Sequence, residues 1–420
     1  LDGNYPVGTG NVALGNTALD SAGGSVIQSV GIGANALTSF TTGSNNTAVG
    51  YNALTAATSG SNVAVGDRTL SSNTTGQNNV AVGSAALLNN VSGTYNTGLG
   101  TSALLNNTGS SNTALGGLAL SSNTTADNNT AVGYQAAYSN TTGGQNTAVG
   151  YQALLDATTA VFNTAVGHQA GANITTGNSN TALGRMSLLS NTTGASNAAI
   201  GNEALYSNTS GQSNAALGHY ALYSNTTASE NTAVGSLASY RNTTGTRNTA
   251  LGRASLYDNT TGNYNVALGY DSLANNTTAD NNTAVGYQAL YDNTTGAQNA
   301  AFGRLALAGN TTASENVAMG SAALLINTTG ANNTALGSNA LYSNTTASNN
   351  TAVGYRSQYT NSTGTNNVSV GKQSLNDNTT GSSNTAIGVE ALIQNTTASG
   401  NTATGYQAMY SGTTAQYSTS

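Results

Sequence analysis

Gly133-Tyr134-Gln135-Ala136-Ala137-Tyr138-Ser139-Asn140-Thr141-Thr142-Gly143-Gly144-Gln145-Asn146-Thr147-Ala148-Val149-Gly150 contains one full period of this chain. The glycine closing each Asn-Thr-Ala-Val-Gly-like segment serves as an anchor. Earlier anchors are Gly15, Gly33, Gly50, Gly66, Gly83, Gly100 and Gly116, and from Gly133 to Gly405 the step is 17 residues without exception. Steps before Gly133 are 16, 17 or 18, so the first third of the array accepts one residue more or less at a turn.

Comparing equivalent positions within the one chain shows what each must do. The residue before the anchor is apolar in every unit except the last, where Thr404 stands. Two before it is always small, as in Ala131 and Ala148 with Gly31, Gly98 and Ser369 as variants, and four before it is Asn except at Ser29. Three after the anchor is Ala, Ser or Thr, and four after is usually Leu. Charges such as Arg185, Glu203, Arg253, Asp258, Asp280 and Glu315 avoid these positions, so the uncharged positions are buried and the tolerant ones face water.

A period of 17 is too short for two-helix repeats, which need about 33 residues or more. One long helix through Gly and Asn-Thr-Thr would be built from poor helix formers. The period fits a coil with two short strands, Asn-Thr-Ala-Val-Gly and roughly Gln-Ala-Leu-Tyr, joined by polar turns and stacked strand on strand. The fold class expected is all-β, a parallel β-solenoid or β-roll of about 24 stacked 17-residue coils. It reads as one continuous array over residues 1–420, with less regular coils at 1–33, regular coils over 34–405 and an incomplete last coil at 406–420.

Alternation along the strand assigns two faces. Val132, Val149, Val166, Leu183, Ile200 and Leu217 are expected to form the core ladder inside the coil. The small face, Ala and Gly, then points outward, and its smallness suggests the close approach of a further copy of the chain. The alternative is that Ala fills a narrow coil and the two faces are the other way round.

Composition removes several function classes. The chain has no Cys, so no disulfide framework or thiolate metal site, and its two His, His168 and His219, lie 51 residues apart. Charged residues are 5% of the chain, against roughly 25% in a typical soluble domain. With 8 Lys+Arg and 14 Asp+Glu it has no basic face for nucleic acid. No apolar run approaches the roughly 18 residues of a membrane span, so no membrane contact is expected within this segment. The chain begins at Leu1 rather than Met and reads as a processed or partial product, with an export signal and any anchor lying outside it. No carboxylate pair recurs, no nucleophile elbow is present and no cofactor motif occurs, so the chain reads as a non-enzyme without cofactor or metal.

Segments such as Asn46-Thr47-Ala48-Val49-Gly50, Asn197-Ala198-Ala199-Ile200-Gly201 and Asn316-Val317-Ala318-Met319-Gly320, each with a small residue three places on, resemble the head repeats of trimeric autotransporter adhesins. Similar repeats occur in phage tail-fibre-like proteins. The resemblance, which runs from about Asn11 to Gly405, implies a left-handed parallel β-roll, three chains side by side and binding to host matrix or other surfaces. The period here is longer than the usual head repeat because of the Asn-Thr-Thr-Gly corner, and these 420 residues include no neck, stalk or membrane-anchor pattern of that family.

Stacking turns each repeated side chain into a row. The Asn row four before the anchor is expected to hydrogen-bond along itself. A second Asn, seven after the anchor, begins a sequon at Asn140, Asn191, Asn208, Asn225, Asn242, Asn259, Asn276, Asn293, Asn310, Asn327, Asn344, Asn361, Asn378 and Asn395. As an outward corner, this row could carry glycans, although Asn and Thr are also ordinary turn residues. Tyr134, Tyr151, Tyr270, Tyr287 and Tyr355, one after the anchor, are candidate surface contacts for sugars or neighbouring fibres.

The function expected is an extracellular, cell-surface or virion-surface structural or adhesive fibre segment. Its partners would be copies of itself, as a trimer or filament, and glycans or environmental surfaces. A phage tail-fibre shaft, or an ice- or lattice-binding solenoid using its Thr rows, is the alternative.

Overall fold

The computed structural model describes residues 8–411 and 417–420, so part of the expected last coil and the first seven residues lie outside it. Two compact units divide the chain, Leu1–Gln212 and Ser213–Ser420. The first carries β1 (Val12–Leu14) through β12 (Ala198–Ile200), the second β13 (Ala215–Leu217) through β24 (Thr402–Thr404). Each unit is a parallel β-solenoid in which every coil contributes one three-residue strand.

Register follows the sequence period. Ala148 sits between Ala131 and Ala165, and Val149 between Val132 and Val166, in parallel pairing. The same in-register pairing runs through the second unit, as where Ala284 faces Ala267 and Ala301.

The second strand expected in each coil is not a strand. Residues two and four after the anchor adopt left-handed backbone, as at Gln152 (φ 53) and Leu154 (φ 51), so the segment alternates its peptide orientation instead of extending. It still bonds from coil to coil: Gln152 N–H donates to Tyr134 O (3.0 Å), and Leu154 N–H to Ala170 O (3.0 Å). A bulky residue in the left-handed region is strained in isolation. Here residues such as Gln152 and Leu154 are held by a backbone bond to a neighbouring coil.

The two faces are reversed relative to the expected core ladder. In every β-strand the central small residue points into the coil: Ala131, Ala148, Ala165, Ala182, Ala199 and Ala216 are buried. Val132, Val149 and Val166 are half-buried, and Leu183, Ile200 and Leu217 are 38%, 39% and 47% exposed. The reason is width. A 17-residue coil leaves a lumen that one layer of Ala, Leu and Asn fills. In the coil after Gly286 these are Ala289, Leu290, Asn293, Asn299 and Ala301, none more than 1% exposed.

Two amide columns run through each lumen. The Asn before the strand accepts the next Asn's backbone N–H on its Oδ1, as Asn146 Oδ1 does from Asn163 (2.9 Å), and donates Nδ2 to a carbonyl of the next coil, Ala160 O (2.7 Å). The self-bonded row inferred from sequence is thus present, with the backbone as part of the ladder. Asn seven after the anchor forms the second column: Asn293 Nδ2 donates to Asn276 Oδ1 (2.8 Å) and Gly296 O (2.9 Å). Buried amides satisfied in this way turn a desolvation cost into a repeating coil-to-coil lock.

That second column is interrupted at Ala157 and Ile174, which leaves buried Asn140 Oδ1 without a partner. The coil holding Ile174 has Gly171 where Leu normally stands. A Cβ on Gly171 would lie 2.9 Å from Ile174 Cδ1 and 3.3 Å from Leu154 Cδ2. Ile174 therefore fills the volume that the missing Leu vacates. Gly171→Leu alone should overpack the lumen, by about 1–3 kcal/mol, and Ile174→Asn alone should open a cavity, by about 2–4 kcal/mol. The double replacement reproduces the Leu188 and Asn191 pair of the following coil and is expected to cost about 1 kcal/mol or less, a coupling measurable by a double-mutant cycle in denaturant. Additive losses would show that the two positions do not share one space.

Candidate functional site

Because the lumen is filled, chemistry directed at a partner must come from the outer rows. The first is the strand face. One residue before the anchor stand Val, Leu, Ile, Phe or Met, and two places earlier Thr, Val or Ala, all pointing away from the lumen and half-buried or exposed. Leu251 and Met319 are each 48% exposed. At about 4.8 Å between coils and about 7 Å between the two columns, twelve coils present a flat strip on the order of 400 Å² in each unit. The apolar column of that strip, continuous from coil to coil within each unit, is the kind of exposed feature that marks contact surfaces. On it the Thr row runs beside an aliphatic row rather than a second Thr row.

The second set of rows is aromatic. Tyr134, Tyr151, Tyr270, Tyr287 and Tyr355 are exposed, as their tolerance of other residues indicated. Their rings lie over one another: Tyr134 on Tyr151 (5.9 Å between centroids), Tyr151 on His168 (5.1 Å), Tyr270 on Tyr287 (5.7 Å). Five after the anchor a further column stacks, Tyr223 on Tyr240 and Tyr240 on Tyr257, each at 5.3 Å. Stacked rings cover each other's faces, so a flat ligand finds a free face only where a stack stops. The places where the columns stop were the signal that reading the tyrosines as simple rows passed over.

The sequon row lies elsewhere than expected. Asn140, Asn191, Asn208, Asn225, Asn242, Asn259, Asn276, Asn293, Asn310, Asn327, Asn344, Asn361, Asn378 and Asn395 are all buried, none more than 1% exposed. The Asn140 Nδ2, the atom a glycan would use, donates to Asn123 Oδ1 (2.7 Å) and Gly143 O (2.9 Å). The corner turns its amide inward, because only the lumen offers a stacked partner, and the folded coil gives that nitrogen no path to solvent. The hydroxyl of the following Thr is also engaged, Thr141 Oγ1 donating to Thr158 O (2.9 Å).

Charged groups are few and on the outside. Arg247 donates to Glu230 (2.8 Å) and to the Tyr264 hydroxyl (2.6 Å) across successive coils. That hydrogen bond and the guanidinium charge hold the Glu230 carboxyl below the usual carboxylate range. His168 stacks on Tyr151, and His219 lies against Tyr220 at 3.8 Å. Among the described residues no three His, Cys, Asp or Glu side chains gather as metal ligands, and no helix is long and apolar enough to cross a membrane.

Comparison with protein-family models and with curated proteins finds no match to either.

Proposed function

We propose that this chain is a structural element of an extracellular fibre, a non-catalytic scaffold that packs side by side with further copies of itself. The observation that carries this reading is the outward strand face. Nearly every coil leaves an aliphatic side chain in water beside Thr, Val or Ala, in register with the coils above and below. A second copy presenting the same flat strip would remove both from solvent at about 25 cal/mol per Å² of apolar area. The rigidity such a scaffold needs is supplied by backbone ladders and two amide columns in each lumen. The likeness of the Asn-Thr-Ala-Val-Gly segments to adhesin head repeats supports a place on a cell or virion surface, and supports attachment to other surfaces as the fibre's purpose.

Sedimentation velocity of the purified chain tests this. The chain should sediment as a discrete oligomer or a filament, and Val149→Glu with Val166→Glu should return it to monomer with its far-UV circular dichroism unchanged, because both side chains point outward. A wild-type chain that stays monomeric at every concentration would end the proposal.

A further inference from the structure

The tyrosine column of the second unit contains a gap shaped like one missing ring. Tyr223, Tyr240 and Tyr257 stack at 5.3 Å per coil with interplanar angles of 17° and 12°. The next position in the column is Ala274, and the one after it Tyr291. The register does not slip there: Asp258 N–H donates to Ala274 O (2.8 Å), and Asn275 N–H to Tyr291 O (3.1 Å). Tyr257 and Tyr291 are therefore two coils apart, about 10.6 Å at the observed ring step, which leaves room for one flat ring at the ordinary stacking distance from each. A cavity of about 350 Å³ occupies this place, lined besides the two tyrosines by Leu237, Ala254 and Ala274 and by the polar groups of Arg253, Asp258, Asp271 and Asn275.

We propose that the slot between Tyr257 and Tyr291 binds a single neutral pyranose ring, sandwiched between the two tyrosines. The walls are aromatic and the rim is polar, which matches a ring with C–H groups on its faces and hydroxyls around its edge. A phenyl ring would fit the walls but would desolvate the rim groups without pairing them, at a cost for each. The rim carries little uncompensated charge to attract an ion. Arg241 Nη1 lies 3.0 Å from Asp258 Oδ1, and Asp271 faces the Arg253 charge while burial pushes its carboxyl upward. The side of Tyr257 away from the slot is already covered by Tyr240, and the Arg241 guanidinium lies 5.6 Å from the same ring's centroid. The slot is built from positions other than the outward strand face, so it does not depend on self-association.

The test is saturation-transfer NMR of the full chain with the methyl glycosides of glucose, galactose and N-acetylglucosamine, with N-acetyl-tyrosinamide as the aromatic competitor. At least one glycoside should receive saturation at its ring-face hydrogens, with a millimolar dissociation constant. Ala274→Tyr, which inserts the side chain that neighbouring coils already carry, should weaken binding tenfold or more while the fold is retained. Tyr257→Ala and Tyr291→Ala should each weaken it similarly. Absence of transfer to every glycoside, transfer undiminished in Ala274→Tyr, or tyrosinamide binding more tightly than all three sugars would each overturn the assignment.

Discussion

Replacing Gly150 by alanine is expected to open the coils on either side of it, a large effect for a single methyl group. Gly150 has φ 136, a conformation L side chains rarely adopt, and a Cβ there would stand 2.3 Å from Gly167 O and 2.7 Å from Gly167 C. The strain alone costs about 1–3 kcal/mol. The clash adds to it, because the obstacle is backbone of the next coil and cannot swing away. Coil spacing is fixed by the bonds of Gly150 N–H to Val132 O and Gly167 N–H to Val149 O, both 2.8 Å, so making room breaks the ladder. In a stack where each repeat is supported only by its neighbours, the damage stays local at first. Amide exchange in residues 147–170 should accelerate at least a hundredfold, while protection in coils further along the same unit changes much less. Unchanged exchange at those amides would show that the anchor glycine is not needed for close approach.

The second large effect is expected from Asn299→Asp. Asn299 is buried and engaged above and below: its backbone N–H donates to Asn282 Oδ1 (3.0 Å), its Nδ2 donates to Ala313 O (2.9 Å), and its Oδ1 accepts from Asn316 N–H (3.0 Å). A carboxylate keeps the acceptor but points its other oxygen at the Ala313 carbonyl, and it carries a charge with no cation near. The expected loss is about 3–5 kcal/mol at neutral pH. The sign of the pH dependence follows. Burial without a partner raises the folded-state pKa above the unfolded value of about 3.9. The native state then binds more protons between the two values, and stability falls as pH rises through that window. Acidification toward about pH 4 should therefore narrow the gap between Asn299→Asp and wild type, since a protonated carboxyl can again donate to Ala313 O. Asn299→Ala should show a gap that does not change with pH. Equal pH profiles for the two variants would falsify the buried-charge account.

Much of the architecture was legible from repetition alone. The spacing from Gly133 to Gly405 places Val132 over Val149 and Val149 over Val166, and the structure pairs them so. Of the positions that never carry charge, those of Ala148 and Asn146 are buried, whereas that of Val149 is half-buried and faces outward. The second strand was not legible, because a stretch like Gln152-Ala153-Leu154 has strand-like composition while its alternating left-handed residues are held by coil-to-coil bonds that only stacking provides. The sequons misled for a related reason: Asn-Thr-Thr is good turn chemistry, and nothing local says whether the Asn293 amide turns outward or, as observed, toward Asn276 and Gly296. The pyranose slot depends on an absence, Ala274 in a column of tyrosines, and a gap has meaning only once the column is known to be stacked.

The sequence by itself determined the period, the coil-to-coil register and the division of each strand into a small side and a large one. Only the tertiary structure decided which side is inside. Alternation reports that Ala148 and Val149 point in opposite directions, whichever way round they lie. The choice is made by the width of the lumen, where Ala165, Leu154 and Asn163 are already fully buried, leaving no volume for a second layer of Val and Leu. The larger side chains go outward, and the apolar face available to a partner is a consequence of the narrowness of the coil.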